Sequence, residues 1–439
     1  MTDVAMSDAV PATLRLYRTL TRAMPLAVSG LLARRIRRGK EDPARIGERR
    51  GMTSLPRPDG QLIWVHGASV GEVLAVATLI ERLQMMNFRV LLTSGSVTSA
   101  QIIAKRFSPA VIHQFIPYDS PRFVERFLDH WKPNLAIFVE SDLWPNFILA
   151  ASERRVPMML VNGRLSERSF ARWRKVPGTI GALLGRCDLC LAQSEGDAAR
   201  LADLGAPRVQ LSGNLKLDVP APPADDDKLQ RLTVRLRGRP VVVAASTHPG
   251  EDDMLLEAHR RLQPHFPELL TVLIPRHPHR GPGIAQQVTA AGLGLAVRSR
   301  DELPTARTQV YLADTMGELG LFYRLAPIVF MGGSLVTHGG QNPIEALKLG
   351  AAILHGINVW NFGELYAALD RAGGAVTVAD ETALTRAIGM WLSDPAARQR
   401  AAASGLQVVQ TLGGALERTM AALEPYLLQL RIEGGAPHA

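Results

Sequence analysis

Two cysteines, Cys187 and Cys190, are all that 439 residues contain, which excludes a disulfide framework and fits a reducing compartment. No second pair completes a zinc set. In "CDLCLAQS", which has the composition of a buried strand, positions i and i+3 are expected to point to opposite faces, so the pair carries no redox chemistry. Missing too are G-x-x-x-x-G-K-[ST], G-x-G-x-x-G after a strand, H-E-x-x-H and G-x-S-x-G, the signatures of P-loop, dinucleotide, zinc-protease and serine-hydrolase sites. The basic N-terminal stretch has no long apolar run. Its longest uncharged piece, "AMPLAVSGLLA" (23–33), contains Pro25 and Gly30 and falls short of the roughly 20 residues a spanning helix needs. It also lacks the small-residue cleavage site of a secretory signal. Aromatic residues are only 5%, and no stacking platform or recognition motif accompanies the basic stretch, so nucleic acid is not an expected partner.

What is present is an ordinary globular composition, 46% hydrophobic in a chain long enough for two cores. The formal charge is +9 and is concentrated. Between Ala12 and Arg50, ten Arg and one Lys face Glu41, Asp42 and Glu48, a net +8. An apolar patch flanked by "ARRIRRGK" fits a segment lying on an anionic membrane surface, where each basic residue contributes about 1 kcal/mol. The same pattern also describes a solvated basic helix.

From Leu62 onward, short apolar runs, Gly-bearing turns and amphipathic stretches alternate, the pattern of a parallel α/β sheet. Strands are expected in "LIWVHG", "RVLLTSG", "VIHQFI", "LAIFVES", "PMMLVNG" and "LCLAQS". After "DVPAPPADDDKLQ" they resume in "PVVVAAS", "LLTVLIP", "GLAVRS", "QVYLAD", "PIVFMGGS" and "AAILHG". The expected division is a basic membrane-proximal segment (1–50), a first Rossmann-like domain (51–217), a linker (218–238), and a second Rossmann-like domain with a C-terminal helix and tail (239–439). Chemistry belongs at the carboxyl ends of the strands.

Several strand ends carry it. In "HGASVGEV", Ser69-Val70-Gly71-Glu72 is the S-x-x-E capping box, in which Glu72 reaches back to the backbone. The same geometry sets a carboxylate at a strand-to-helix turn, where a general base belongs. In "GGSLVTHGGQNPIEALKLG", Asn342 suits the N-cap, Pro343 the first helical position and Glu345 the third. The glycines before it let a backbone approach an anion such as phosphate. "DTMGELG" follows a strand and is expected to open a helix with Gly317 in its first turn. "IPRHPHR" gathers Arg276, His277, His279 and Arg280, which suits a nucleotide. Its His-x-His has no third ligand nearby, so no metal is expected. "VNGRLSERSFARWRK" carries Arg164, Arg168, Arg172, Arg174 and Lys175, either for an anionic acceptor or as a solvated face.

In order along the chain, "HGASVGEV", "VESDLWPN", "VNGRLSERS", "GNLKLD", "ASTHPGED", "IPRHPHR" and "GGSLVTHGGQNPIEA" resemble the 3-deoxy-D-manno-octulosonic acid (Kdo) transferases of lipopolysaccharide assembly, over about Gly39 to about Gly374. The resemblance implies a GT-B glycosyltransferase: two Rossmann-like domains facing across a cleft, the first for the acceptor, the second for CMP-Kdo. It implies a place at the cytoplasmic face of the inner membrane, with transfer of Kdo to a lipid A precursor (lipid IVA). Glu72 matches the family's catalytic base and Glu140 a second carboxylate. Arg164 and Lys216 are acceptor-side residues and candidates to meet the donor carboxylate. Ser246, Arg276, His277, Met316, Gly317, Gly333, Ser334, Asn342 and Glu345 fall where the family binds the nucleotide. Many relatives have Pro-Ala after the nucleotide-site Glu, where this chain has Ala346-Leu347.

The residues are compatible with that chemistry. CMP leaves as a phosphate monoester, so helix N-termini and Arg276 could carry the departing charge with no metal or other cofactor. Glu72 would take the acceptor proton, with inversion at the anomeric carbon. Two alternatives are a GT-B transferase using another nucleotide sugar, separable by comparing CMP with UDP or GDP binding, and a catalytically silent, membrane-associated nucleotide binder, which would never release product.

Overall fold

The computed structural model describes residues 10–236 and 238–435. Among these, fourteen strands form two seven-stranded sheets, and every pairing is parallel. In the first sheet, β1 (Leu62–His66), β2 (Arg89–Ser94), β3 (Val111–Phe115), β4 (Leu135–Val139), β5 (Met158–Gly163), β6 (Leu189–Ala192) and β7 (Val209–Leu211) lie in the order β3-β2-β1-β4-β5-β6-β7. In the second, β8 (Val241–Thr247), β9 (Leu270–Pro275), β10 (Leu295–Val297), β11 (Val310–Leu312), β12 (Ile328–Met331), β13 (Ala352–His355) and β14 (Ala375–Thr377) lie in the order β10-β11-β9-β8-β12-β13-β14. All twelve expected strands are present. The two that were not foreseen, β7 and β14, are three-residue edge strands that bury less than the other two edges, β3 and β10, so they lack the apolar run that marks the others.

The central strands are buried end to end because helices cover both faces. Period-two alternation distributes their side chains. Leu62 and Trp64 enter one core layer, and Ile63 and Val65 the other. Trp64 anchors its layer against Phe127, Phe138 and Phe147, with ring centroids 5.0, 5.2 and 5.3 Å away, spacings at which aromatic pairs attract beyond their area burial.

The chain divides into two units, and the division differs from the expected one. The first holds the described residues up to Val219 together with those from Gly413 onward; the second holds Pro220–Leu412. The C-terminal helix Ala415–Gly435 thus belongs with the first sheet, where Leu423, Leu427 and Leu430 join the layer of Ile63 and Val65. Asp218 fixes its start by accepting from the backbone N–H groups of Gly414 (2.7 Å) and Leu416 (2.5 Å). The expected linker contains a helix, Asp226–Arg235, whose Leu232 is buried.

The N-terminal segment forms helices α1 (Ala12–Arg22) and α2 (Met24–Arg37), and among the described residues no helix is long and apolar enough to cross a membrane. Not all its charge faces out. The buried Glu41 carboxylate accepts from Arg35 (2.7 Å) and Arg49 (2.9 Å), and Arg49 also donates to the carbonyls of Ile116 (3.1 Å) and Gly95 (2.7 Å).

The cysteines depart from expectation. β6 begins at Leu189, so Cys187 precedes it and period-two alternation does not apply; both cysteines lie in one core layer. The hydrogen bond with Cys190, together with burial, pushes the Cys187 thiol well above its ordinary range.

Candidate active site

In each sheet the strand order reverses once near the centre, between β1 and β4 and between β8 and β12. Chain ends diverge at such a switch point and leave a crevice outside the carboxyl ends of the strands. Glu72 and Glu140 follow the two strands of the first switch point, and Ser246, Gly333 and Ser334 lie at or just after the ends of the two strands of the second; Arg276, His277, Met316 and Gly317 follow the neighbouring β9 and β11.

After β1 the chain turns into helix α3 (Val70–Ala75). Ser69 is its N-cap and accepts from the Glu72 N–H (3.3 Å). The Glu72 carboxylate returns the contact, accepting from the Ala68 N–H (2.8 Å) and the Ser69 hydroxyl (2.7 Å). The capping box is therefore formed, one residue wider than the usual pattern. It does not exhaust the group. Burial raises the Glu72 carboxyl above its ordinary range, and the negative charges of Asp142 and Glu140 add to the rise, against the lowering by the Ser69 and Ala68 hydrogen bonds. A half-buried carboxylate beside two others binds a proton more readily than a free one, as a base requires.

Glu140 follows β4 with φ 61°, a strained backbone for a side-chain-bearing residue, and accepts a 2.6 Å bond from the Lys216 ammonium. Lys216 is itself placed by asparagines: Asn214 Oδ1 accepts from the Lys216 N–H (3.0 Å), and Asn162 Oδ1, from a residue with φ 56° near the end of β5, accepts from the Leu215 N–H (2.9 Å). Two residues that sequence reasoning passed over belong here. Asp142 Oδ2 lies 3.3 Å from Nε2 of His66, the last residue of β1, whose side chain is 0% exposed. Both stand inside quoted motifs, and only the sheet order places β1 beside β4. Arg164 is half-buried and makes no side-chain hydrogen bond or ion pair among the described residues. No such contact joins it to Glu72, Glu140 or Lys216.

In the second unit, β8 bulges at Ser246, which has φ 58°. The next turn carries His248, stacked on His338 at 4.1 Å, with His277 edge-on at 6.3 Å. Burial lowers His248 to about 4, and the nearby His338, His277, Arg276 and Arg280 push the same way. His277 is lowered by the same kinds of cause. An electropositive patch that lowers His248 and His277 suits an anion. Arg276 is exposed and makes no side-chain hydrogen bond or ion pair among the described residues, whereas Arg280 is committed to Asp252 and to the Thr247 carbonyl (2.8 Å).

The glycine-rich turn after β12 is not the open anion cradle expected of it. The backbone N–H groups of Gly333 (2.7 Å), Ser334 (3.0 Å) and Leu335 (3.0 Å), with that of His248 (2.9 Å), all donate to the carboxylate of Glu251, which is 0% exposed. Ser334 is buried, and its hydroxyl donates to the Met331 carbonyl (2.5 Å) and accepts from the Gly356 N–H (2.7 Å). Gly333 and Ser334 therefore hold the turn together, and their N–H groups are not free for a phosphate. The neighbouring Gly332 has no room for a side chain: a Cβ would meet the Ser246 carbonyl oxygen at 2.3 Å.

Gly317, with φ 81°, sits in the turn before its helix, Leu319–Leu325, and not inside it. Glu318 fixes that turn by accepting from Arg298 (2.8 Å), Lys228 (2.8 Å) and the Thr315 hydroxyl (2.5 Å), and leaves Met316 66% exposed. No hydrogen bond, ion pair or ring contact joins Met316 or Gly317 to the His248 group. The helix expected to begin at Pro343 spans Ile344–Lys348, so Pro343 takes the N-cap place expected of Asn342, whose Oδ1 accepts from the Ile344 N–H (3.1 Å) from one residue earlier. Burial raises the half-buried Glu345 carboxyl, which lies close enough to Tyr323 to raise that hydroxyl as well. Among the described residues no group of three or more His, Cys, Asp and Glu could hold a metal ion.

Comparison with known proteins fits this arrangement. The family model for 3-deoxy-D-manno-octulosonic-acid transferase (kdotransferase) matches residues 44–219. The 3-deoxy-D-manno-octulosonic acid transferase of Haemophilus influenzae is 36% identical over 87% of this chain and 91% of its own length. The chain belongs to the Kdo transferase family. The Bordetella pertussis 3-deoxy-D-manno-octulosonic acid transferase is also 36% identical, over 88% of this chain and 91% of its own. A glycosyltransferase from Rickettsia africae shares the fold, with TM-score 0.59 at 12% identity over 84% of this chain and 99% of that one. The GT-B class expected for this Kdo transferase is thus its fold class, with two Rossmann-like units.

Proposed function

We propose that this Kdo transferase moves Kdo from CMP-Kdo to a hydroxyl of a lipid A precursor, lipid IVA, with inversion. The observation that carries the reading is Glu72: its carboxylate is held at the start of α3 by Ala68 and Ser69, half-buried beside Glu140 and Asp142. The acceptor oxygen forms its bond to the anomeric carbon as the bond from that carbon to the phosphate oxygen breaks, and CMP leaves with the electron pair. The acceptor proton passes to Glu72.

The remaining roles follow from charge. Arg276 is an exposed, uncommitted cation in a patch with His248 and His277, which suits the phosphate. Glu345, half-buried near a helix start, suits the hydroxyls of a ribose. The ion pair of Lys216 with Glu140, and Arg164, serve the acceptor side, and Arg164 is available for the donor carboxylate. No cofactor is invoked. The membrane surface is the second partner. α1, α2 and the residue after α2 expose Leu16, Leu20 and Leu31 together with Arg15, Arg22, Arg34, Arg37 and Arg38, a mixture that favours an anionic bilayer and supports the reading of a peripheral or N-terminally anchored enzyme on the cytoplasmic side of the inner membrane.

The test is to incubate the protein with a CMP-Kdo generating system and lipid IVA and to weigh the lipid by mass spectrometry. The expected product carries added Kdo, and CMP release depends on the lipid. Release without lipid product, or product with another nucleotide sugar in place of CMP-Kdo, would overturn the reading.

A further inference from the structure

Beneath the acidic cluster a chain of polar contacts runs through the first sheet. Trp64 Nε1–H donates to Thr93 Oγ1 (2.8 Å), and Thr93 Oγ1 lies 2.9 Å from His66 Nδ1. The Trp64 indole can only donate, so the Thr93 hydroxyl accepts from it and must place its own proton elsewhere. His66 Nδ1 is its other partner. The Thr93 carbonyl, 3.2 Å from Nδ1, is already engaged by the Gly67 N–H (3.1 Å), so it does not require an Nδ1 proton. If the Thr93 hydroxyl gives its proton to Nδ1, the imidazole proton sits on Nε2. There it lies 3.3 Å from Asp142 Oδ2, an ion-pair distance that is not aligned as a hydrogen bond, and neither atom has a hydrogen-bond partner among the described residues.

We propose that His66 is a positioning residue of the transfer reaction, aiming Asp142 into the acidic cluster through an Nε2–H tautomer that Trp64 and Thr93 impose. Asp142 follows β4 by three residues, beyond the strand's last ladder contact, and Glu140 beside it is fixed separately by Lys216. His66 is thus the one polar side chain at ion-pair distance from the Asp142 carboxylate among the described residues. The other charges around Glu72 are Glu140, with its Lys216 counter-ion, and Asp142 itself. A carboxylate aimed elsewhere would alter the field in which Glu72 takes up the acceptor proton.

The activity arm rests on the Kdo-transfer reading; the structural arm does not. In protein carrying 15N-labelled histidine, the imidazole shifts of His66 should show Nε2–H in the wild type. Thr93→Val removes the hydroxyl and leaves only carbonyl oxygen beside Nδ1, so the proton should move to Nδ1, with kcat falling at least tenfold and both KM values within twofold. His66→Gln keeps an amide donor toward Asp142 and should retain at least ten times the kcat of His66→Leu, which keeps none. An Nδ1–H wild type, a tautomer change without loss of kcat, or equal loss in the Gln and Leu variants would overturn the proposal. A wild type that releases no CMP sinks the Kdo reading and leaves the tautomer to be judged by the nitrogen shifts alone.

Discussion

The Lys216 ammonium donates a 2.6 Å hydrogen bond to Glu140 Oε1, and both side chains are mostly buried. Lys216→Met leaves Glu72, Glu140 and Asp142 without that counter-charge. The expected result is a loss of roughly 30-fold in kcat/KM for the lipid acceptor, at the lower end of what losing one partner of a desolvated charge pair costs. Steady-state kinetics with acceptor varied at saturating donor checks it.

Glu72→Gln preserves an oxygen for the Ala68 N–H and leaves the Ser69 cap in place, so the melting temperature should barely move. Turnover should fall by about 10²- to 10⁴-fold, the usual worth of a positioned base. In the wild type the base must be deprotonated, and its affinity for the proton is raised. The acid limb of the rate profile should therefore lie above the ordinary carboxylate range, with activity rising as pH increases through it.

His248 is held neutral by burial and by the cations around it, near pKa 4. A bound phosphate reverses the sign of that local field, so CMP should move its titration upward, readable by NMR. Arg276→Ala should weaken CMP about tenfold, the worth of one charged hydrogen bond, by calorimetry.

Asp119 is buried under α1 and accepts from the Tyr17 hydroxyl (2.9 Å) and the Asn146 (3.1 Å) and Phe147 (3.2 Å) N–H groups. Burial outweighs those bonds and raises its carboxyl from 3.8 to about 6. The folded state then holds the proton more tightly than the unfolded one. Its contribution to stability is complete below pH 3.8 and is lost as pH rises through about 6, about 3 kcal/mol in all. Asp119→Asn should flatten the melting temperature over that window in a calorimetric pH series.

Leu16 and Leu20, 60% and 66% exposed, sit one turn apart on α1. Replacing both with Glu should cut sedimentation with anionic vesicles severalfold or more, since apolar burial and attraction to the lipid charge are lost together. Transfer to a detergent-dispersed acceptor should be nearly unchanged.

Much of this architecture was legible because burial writes an apolar run into a strand; β7 and β14, short and poorly buried, leave no such mark. Glu72 was legible as a capping residue, and the structure forms that cap; its role as base is the proposal. His66 and Asp142 were not, because strand order alone brings the end of β1 beside the end of β4. Gly333 and Ser334 misled for a related reason. Their N–H groups meet Glu251, more than 80 residues earlier in the chain, and no local pattern reveals a partner at that distance.

The return of helix Ala415–Gly435 to the first sheet orders events during synthesis. The second unit, an uninterrupted stretch ending at Leu412, can close as soon as it leaves the ribosome. The first must wait with the layer of Ile63 and Val65 incomplete until Leu423, Leu427 and Leu430 emerge, so the half of the enzyme translated first is the last to be finished.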